Sequence, residues 1–155
     1  MIKLYLHHDA YNKVGKHLPS VDAQHKREEY PKSDFKHYCF YQHFIERDGT
    51  HIQTRPNFDG DVVYKEVHRD SISICLAGNF DLQLITREQI LSLVKLFSKL
   101  ITDYKIGILG VMRHSDYQQT NCPGRNFPAG YFRIIWIFAR YKLSTDLLFR
   151  VLKFL

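Results

Sequence analysis

His114 and Cys122 stand eight positions apart, each beside turn-forming residues, and Pro123-Gly124 folds the chain back just after the cysteine. A loop of this kind can bring an imidazole and a thiolate to one point. With a third ligand from elsewhere in the chain the pair would make an open tetrahedral zinc site, three protein ligands plus water. Such an ion acidifies water and polarises a carbonyl, which is the chemistry that amide hydrolysis requires. The spacing by itself is unspecific. The same residues also fit a solvated loop histidine and a buried apolar cysteine, and on spacing alone that plainer reading is preferred.

Other histidines and cysteines invite less. His17, His37, His51 and His68 read as surface or loop residues, and His43 beside Phe44 reads as a packing residue. His25 falls in a candidate helix next to Lys26 and Arg27; it could face a cleft, but a solvated helix face is the default. Cys39 and Cys75 lie in aromatic or apolar strand-like sequence and read as buried thiols. Three cysteines with no CxxC cannot form a disulfide scaffold, so one thiol at least is left for another use.

The elements that must position these groups follow from periodicity. Ile2-Lys3-Leu4-Tyr5-Leu6 alternates as a short strand and runs into His7-His8. Residues 20–29 predict a short helix capped by Ser20. The aromatic run before Arg47-Asp48-Gly49-Thr50 predicts a hairpin with a two-residue Asp-Gly turn. Residues 71–77 predict a strand ending at Gly78-Asn79. Thr86 and Gln89 form a capping box, after which Ile90, Leu93, Val94, Phe97, Leu100 and Ile101 recur at helical spacing. A further apolar strand is predicted over residues 105–112. The mixture predicts an α/β domain around a central mixed sheet flanked by helices, with a C-terminal helical extension.

Length and composition set the outer bounds. A chain of 155 residues, 45% apolar and 25% charged, suffices for one folded domain and excludes disordered and low-complexity classes. The N-terminus lacks the long apolar core of a secretory leader, so synthesis in the cytoplasm without a signal peptide is expected. Residues 131–155 are too often interrupted by Arg, Lys and Asp for a membrane span. Their apolar positions predict one or two helices, split near Ser144-Thr145-Asp146, that could close the core, pair with another subunit as a homodimer or lie on a membrane surface. The +6 net charge is scattered without a nucleic-acid-binding motif, so no nucleic acid is expected as partner.

Five segments, in order, resemble the zinc amidases, a family that includes phage N-acetylmuramoyl-L-alanine amidases and the peptidoglycan recognition proteins. The segments are Leu6-His7-His8, Tyr41-Gln42-His43-Phe44-Ile45-Glu46-Arg47-Asp48-Gly49-Thr50, Ser71-Ile72-Ser73-Ile74-Cys75-Leu76-Ala77-Gly78-Asn79-Phe80, Thr86-Arg87-Glu88-Gln89, and Arg113-His114-Ser115-Asp116 through Cys122-Pro123-Gly124. The resemblance spans about residues 2–128 and implies an amidase domain over residues 1–130 with residues 131–155 as an extension. It implies Zn2+ ligation by His7, His114 and Cys122; in the family the first histidine of the pair is the ligand, which makes His8 the lesser choice, and alternation along a strand turns only one of the two to the metal. Tyr41 matches the catalytic tyrosine, whose hydroxyl donates to the oxyanion or orients the water. Thr120 stands where relatives carry Lys or Thr and could hydrogen-bond the scissile carbonyl.

What the resemblance implies for function is cleavage of peptidoglycan between muramic acid and L-alanine at the bacterial cell wall, or else non-catalytic peptidoglycan binding. Retention of Cys122 favours the enzyme. The sequence departs from the family at Gly60-Asp61-Val62-Val63, where a histidine is missing, at His68, where Asn is usual, and at Ser73 in place of Gly. The first two positions line the substrate groove in relatives, so the departures bear on stem-peptide specificity and leave the metal ligands untouched.

Overall fold

In a computed structural model the described residues are 2–58, 70–127 and 129–153. His68 and the Gly60-Asp61-Val62-Val63 departure lie outside them. The chain builds β1 (Lys3–His8), α1 (Leu18–Arg27), β2 (His43–Ile45), β3 (His51–Gln53), β4 (Ser71–Leu76), α2 (Arg87–Tyr104), β5 (Val111–Arg113), α3 (Ala129–Tyr141) and α4 (Thr145–Leu152). The sheet order is β3-β2-β4-β1-β5. β1, β2, β4 and β5 run parallel, and β3 returns antiparallel to β2 at one edge. This is the mixed α/β architecture predicted from the pattern of elements.

Strand alternation divides the sheet into two faces with different work. Leu4, Leu6, Ile72, Ile74 and Leu76 join Leu93, Phe97 and Leu100 of α2 and Phe132, Ile135 and Phe138 of α3 in the main core. Leu148 and Leu152 of α4 belong to the same core. The intervening side chains are Tyr5, His7, Ser73 and Cys75, and they face the other way, where Cys75 meets Leu18, Val21, Tyr41 and Phe44 in a smaller cluster under α1. One face thus carries the larger core, and the other carries the smaller cluster and His7.

The predicted capping box is present: Gln89 N–H donates to Thr86 Oγ1 at 3.1 Å while Thr86 N–H donates to the Gln89 side chain at 3.2 Å. Gln89, fully buried, also donates to Ala77 O at 2.8 Å and so fastens α2 to the end of β4. Between α3 and α4 the helix stops where Lys142 takes φ 51°, just before Ser144.

Three local expectations are corrected. The Asp-Gly connection is a three-residue one: Glu46 N–H pairs with Thr50 O at 2.9 Å, Gly49 N–H closes a turn on Glu46 O at 3.0 Å, and Gly49 takes φ +80°. A Cβ at Gly49 would lie 2.7 Å from Glu88 O, so the hairpin tip can abut the start of α2 only with glycine there. The strand expected over residues 105–112 is reduced to Val111–Arg113, because Lys105 turns left-handed to end α2 and a 3-10 turn, Ile108–Gly110, occupies the middle. Finally, α1 begins at Leu18 and not at Ser20, and no side chain of its own caps it. The cap comes from the hairpin: the buried Glu46 carboxylate accepts from His17 N–H at 2.8 Å and Leu18 N–H at 3.0 Å.

Candidate metal centre and active-site cleft

β1 and β5 are adjacent and parallel, with Leu6 opposite Arg113, so His7 and His114 emerge side by side at the same end of the sheet. Their ring centroids are 4.7 Å apart. The loop after β5 then returns Cys122 to the same place. Cys122 O accepts from Ser115 N–H at 2.9 Å, and Cys122 N–H donates to Thr120 Oγ1 at 3.2 Å. Gly124 lets this loop press on β4's extension: its φ is +103°, and a Cβ there would stand 2.5 Å from the carbonyl carbon of Phe80.

The result is one cluster of donor atoms from His7, His114 and Cys122, all within 4.8 Å of one another. Cys122 Sγ lies 3.9 Å from His7 Nδ1. Two imidazoles and a thiol are the donor set that borderline-soft Zn2+ prefers, at bonds of about 2.0–2.3 Å, and three ligands leave a tetrahedral ion one position for substrate or water. The residues therefore fit the ion.

Surrounding groups tune the three. Gln118 Oε1 sits 2.6 Å from His114 Nε2; with the amide oxygen accepting, the ring proton is on Nε2 and the Nδ1 lone pair is left for a metal. Burial pushes the Cys122 thiol up to about 12, opposed by the His8 backbone N–H that donates to the sulfur at 3.4 Å. A cation is thus needed to hold it as thiolate. His8 turns to the helix-covered face, where its Nδ1 accepts from Phe80 N–H at 3.2 Å and its ring stacks on Phe80.

Tyr41 packs beside the cluster, its ring 5.0 Å from that of His7. Burial raises the Tyr41 hydroxyl well above the ordinary tyrosine range, so it stays a proton donor. α1 holds the segment leading to it. Asp22 Oδ1 accepts from Tyr38 N–H at 2.6 Å and Cys39 N–H at 2.9 Å, and His25 Nδ1 accepts from Phe40 N–H at 3.3 Å. His25 is buried, with its ring 4.7 Å from Phe40 and 5.9 Å from Tyr41. The solvated-face expectation for His25 is therefore wrong: its nitrogen has a backbone donor to satisfy, and burial lowers its pKa. His17 is corrected likewise. It is buried in full and pairs with Asp9 Oδ2 at 2.7 Å, tying the strand end to the start of α1.

Residues 3–125 match the N-acetylmuramoyl-L-alanine amidase family. The chain belongs to this family. Among solved structures it is similar to the N-acetylmuramoyl-L-alanine amidase LysC from Clostridium intestinale, at 27% identity and TM-score 0.71 over 92% of this chain and 85% of that one. The Ph2119 endolysin of a Thermus scotoductus bacteriophage has the same fold at 21% identity and TM-score 0.68, covering 86% and 83%. So does Drosophila PGRP-LB, at 19% identity and TM-score 0.65, covering 81% and 76%. No curated protein matches the chain. Among the described residues, no helix is long and apolar enough to cross a membrane.

Sequence reasoning named His7, His114, Cys122, Tyr41 and Thr120, and the fold brings the first four together. Thr120 is engaged in the Cys122 loop through its hydroxyl oxygen. Sequence reasoning missed Gln118, Asp22 and Glu46. Gln118 was visible only as a polar residue four after a candidate ligand; Asp22 and Glu46 act across sequence distances that leave no local signal.

Proposed function

We propose that this amidase-family chain is a zinc-dependent hydrolase that cleaves the amide between the lactyl group of N-acetylmuramic acid and L-alanine in peptidoglycan, acting at the bacterial cell wall. The convergence of His7, His114 and Cys122 beside Tyr41 carries the reading. Those three side chains would hold the ion, which when bound supplies Lewis acidity toward an amide carbonyl and acidifies water. Tyr41, kept protonated by burial, is suited to donate a hydrogen bond to the oxygen that gains charge as the carbonyl carbon becomes tetrahedral. Thr120 accepts from Cys122 N–H and keeps its own O–H to offer the scissile carbonyl; lacking a cationic charge, it gives the weaker contact. A water oxygen bonds to the carbonyl carbon as the C–N bond breaks, and a proton from that water ends on the alanine amine.

In this reading residues 1–130 carry the chemistry and residues 131–155 complete the core. Engagement of Phe132, Ile135, Phe138, Leu148 and Leu152 in that core supports core closure over self-association or membrane contact. The test is mass spectrometry of digested peptidoglycan beside metal analysis of the purified protein. New alanine amine termini should form with about one zinc per chain and vanish on chelation and in Cys122→Ala. Binding to sacculi with no new termini in the presence of zinc would instead make the chain a non-catalytic recognition module.

A further inference from the structure

A cavity lies away from the candidate metal cluster. It encloses about 570 Å³ where α2 and α3 both end, beside the turn that leads into β5, and is lined chiefly by Ile101, Lys105, Ile106, Trp136, Arg140 and Tyr141. His7 and His114 emerge where β1 and β5 finish, so the cavity opens at the other end of the strands from the cluster. Its volume falls in the ~300–1,000 Å³ range of small-ligand sites.

Three kinds of group meet there. Ring faces come from Trp136 and from Tyr141, which is 65% exposed although it is a large aromatic. Trp136 is fixed, its indole N–H donating to Ile106 O at 3.1 Å. Cations come from Lys105 and Arg140, both exposed, and no acidic side chain lines the cavity. The nearest acid in sequence, Asp103, is taken by Lys99 at 2.8 Å. Third, the last turns of α2 and α3 end in carbonyls with no partner within their helices; Phe138 O and Ala139 O are taken by Leu143 N–H and the Ser98 hydroxyl, and the others are placed to accept from hydroxyl groups. Aromatic rings, hydroxyl acceptors and positive charge without an ion-pair partner among the described residues together fit a sugar ring bearing an anionic group.

We infer that this cavity is a second binding site, specific for an anionic saccharide and separate from the catalytic cleft. That the saccharide belongs to the cell wall rests on the amidase reading; the chemistry of the cavity does not. Lys105 and Arg140 also sit where cations offset helix dipoles, a role that needs no ligand. The experiment must therefore read occupancy and not stability.

Trp136 is the chain's one tryptophan, so its emission reports on this cavity directly. The intact protein is titrated with N-acetylmuramic acid, with glucose 6-phosphate, with neutral N-acetylglucosamine and with an oligodeoxynucleotide of matched charge. A saturable change with either anionic saccharide, weakened about tenfold in Lys105→Glu/Arg140→Glu and by raised salt, is expected; which of the two binds identifies the source of the charge. Hydrolysis of a small soluble muramoyl-peptide by the double variant should stay at the parent level. Equal response to the neutral sugar, equal response to the oligonucleotide, or no saturable response would overturn the inference. If the protein hydrolyses nothing yet the anionic saccharide binds and the double variant loses it, the second site stands and the amidase reading fails.

Discussion

Replacing Glu46 by alanine should loosen the whole cleft although Glu46 touches none of the three metal-site residues by hydrogen bond. Its carboxylate, 2% exposed, is the acceptor for two backbone donors at the start of α1, His17 N–H and Leu18 N–H. Hydrogen bonds to a charged acceptor contribute about 1.5–3 kcal/mol each, so Glu46→Ala should cost about 3–6 kcal/mol. Relief of the carboxylate's own desolvation pulls the net toward the lower figure. Against a total stability of roughly 5–15 kcal/mol, that loss is measurable by urea denaturation at constant slope. Glu46→Gln keeps one oxygen acceptor and turns an NH2 toward the other donor, so it should lose about half as much. The Gln variant also serves if the Ala variant fails to fold. Hydrogen exchange at Leu18 should accelerate more than at Leu93 in α2. A Glu46→Ala protein within about 1 kcal/mol of the parent, or unchanged exchange at Leu18, would refute the cross-chain cap.

Stability should also fall with acid. The His43 pKa is lowered to about 4 by burial, then by His51, with Lys99 contributing, while an unfolded histidine titrates near 6.5. The unfolded chain then binds a proton that the native one refuses, so stability is full above pH 6.5 and declines by roughly 3 kcal/mol as pH falls to about 4, a drop that His43→Gln should reduce in urea titrations across that range. Gln118→Ala should weaken zinc affinity about 10- to 100-fold in a chelator competition by freeing the His114 tautomer, with little change in melting of the metal-free protein. An unchanged affinity would leave Gln118 without that role. Leu148→Ala, at a fully buried position in α4, should cost about 2–5 kcal/mol by urea denaturation if the C-terminal helices are part of the core; a loss below about 1 kcal/mol would make α4 an appendage.

Much of this molecule was legible where the signal is local. Thr86 and Gln89 announce their helix because a capping box lies within four residues, and the alternation of β1 tells which of His7 and His8 shares a face with Tyr5. What escaped was set by tertiary partners. His17 and His25 look like solvent-facing residues in a basic, polar stretch, and nothing nearby reveals that Asp9 and the Phe40 amide satisfy them in the interior. The start of α1 was misplaced for the same reason: Ser20 is a plausible local cap, but Glu46, on a different element, supplies the stronger acceptor. The candidate metal-site residues themselves were found through a resemblance of five segments in order, since spacing alone could not join His7 to a loop near the other end of the chain.

That distance in sequence has a temporal side. The contact between Cys122 and His7 spans 115 residues, so the cluster closes only after nearly the whole sheet has been laid down. A chain emerging from the ribosome cannot assemble the three donors until residue 122 is free, and an early fragment carries a lone histidine pair with little hold on an ion. If zinc stabilises the finished domain, it does so as the last piece added, rewarding complete chains over partial ones by mass action.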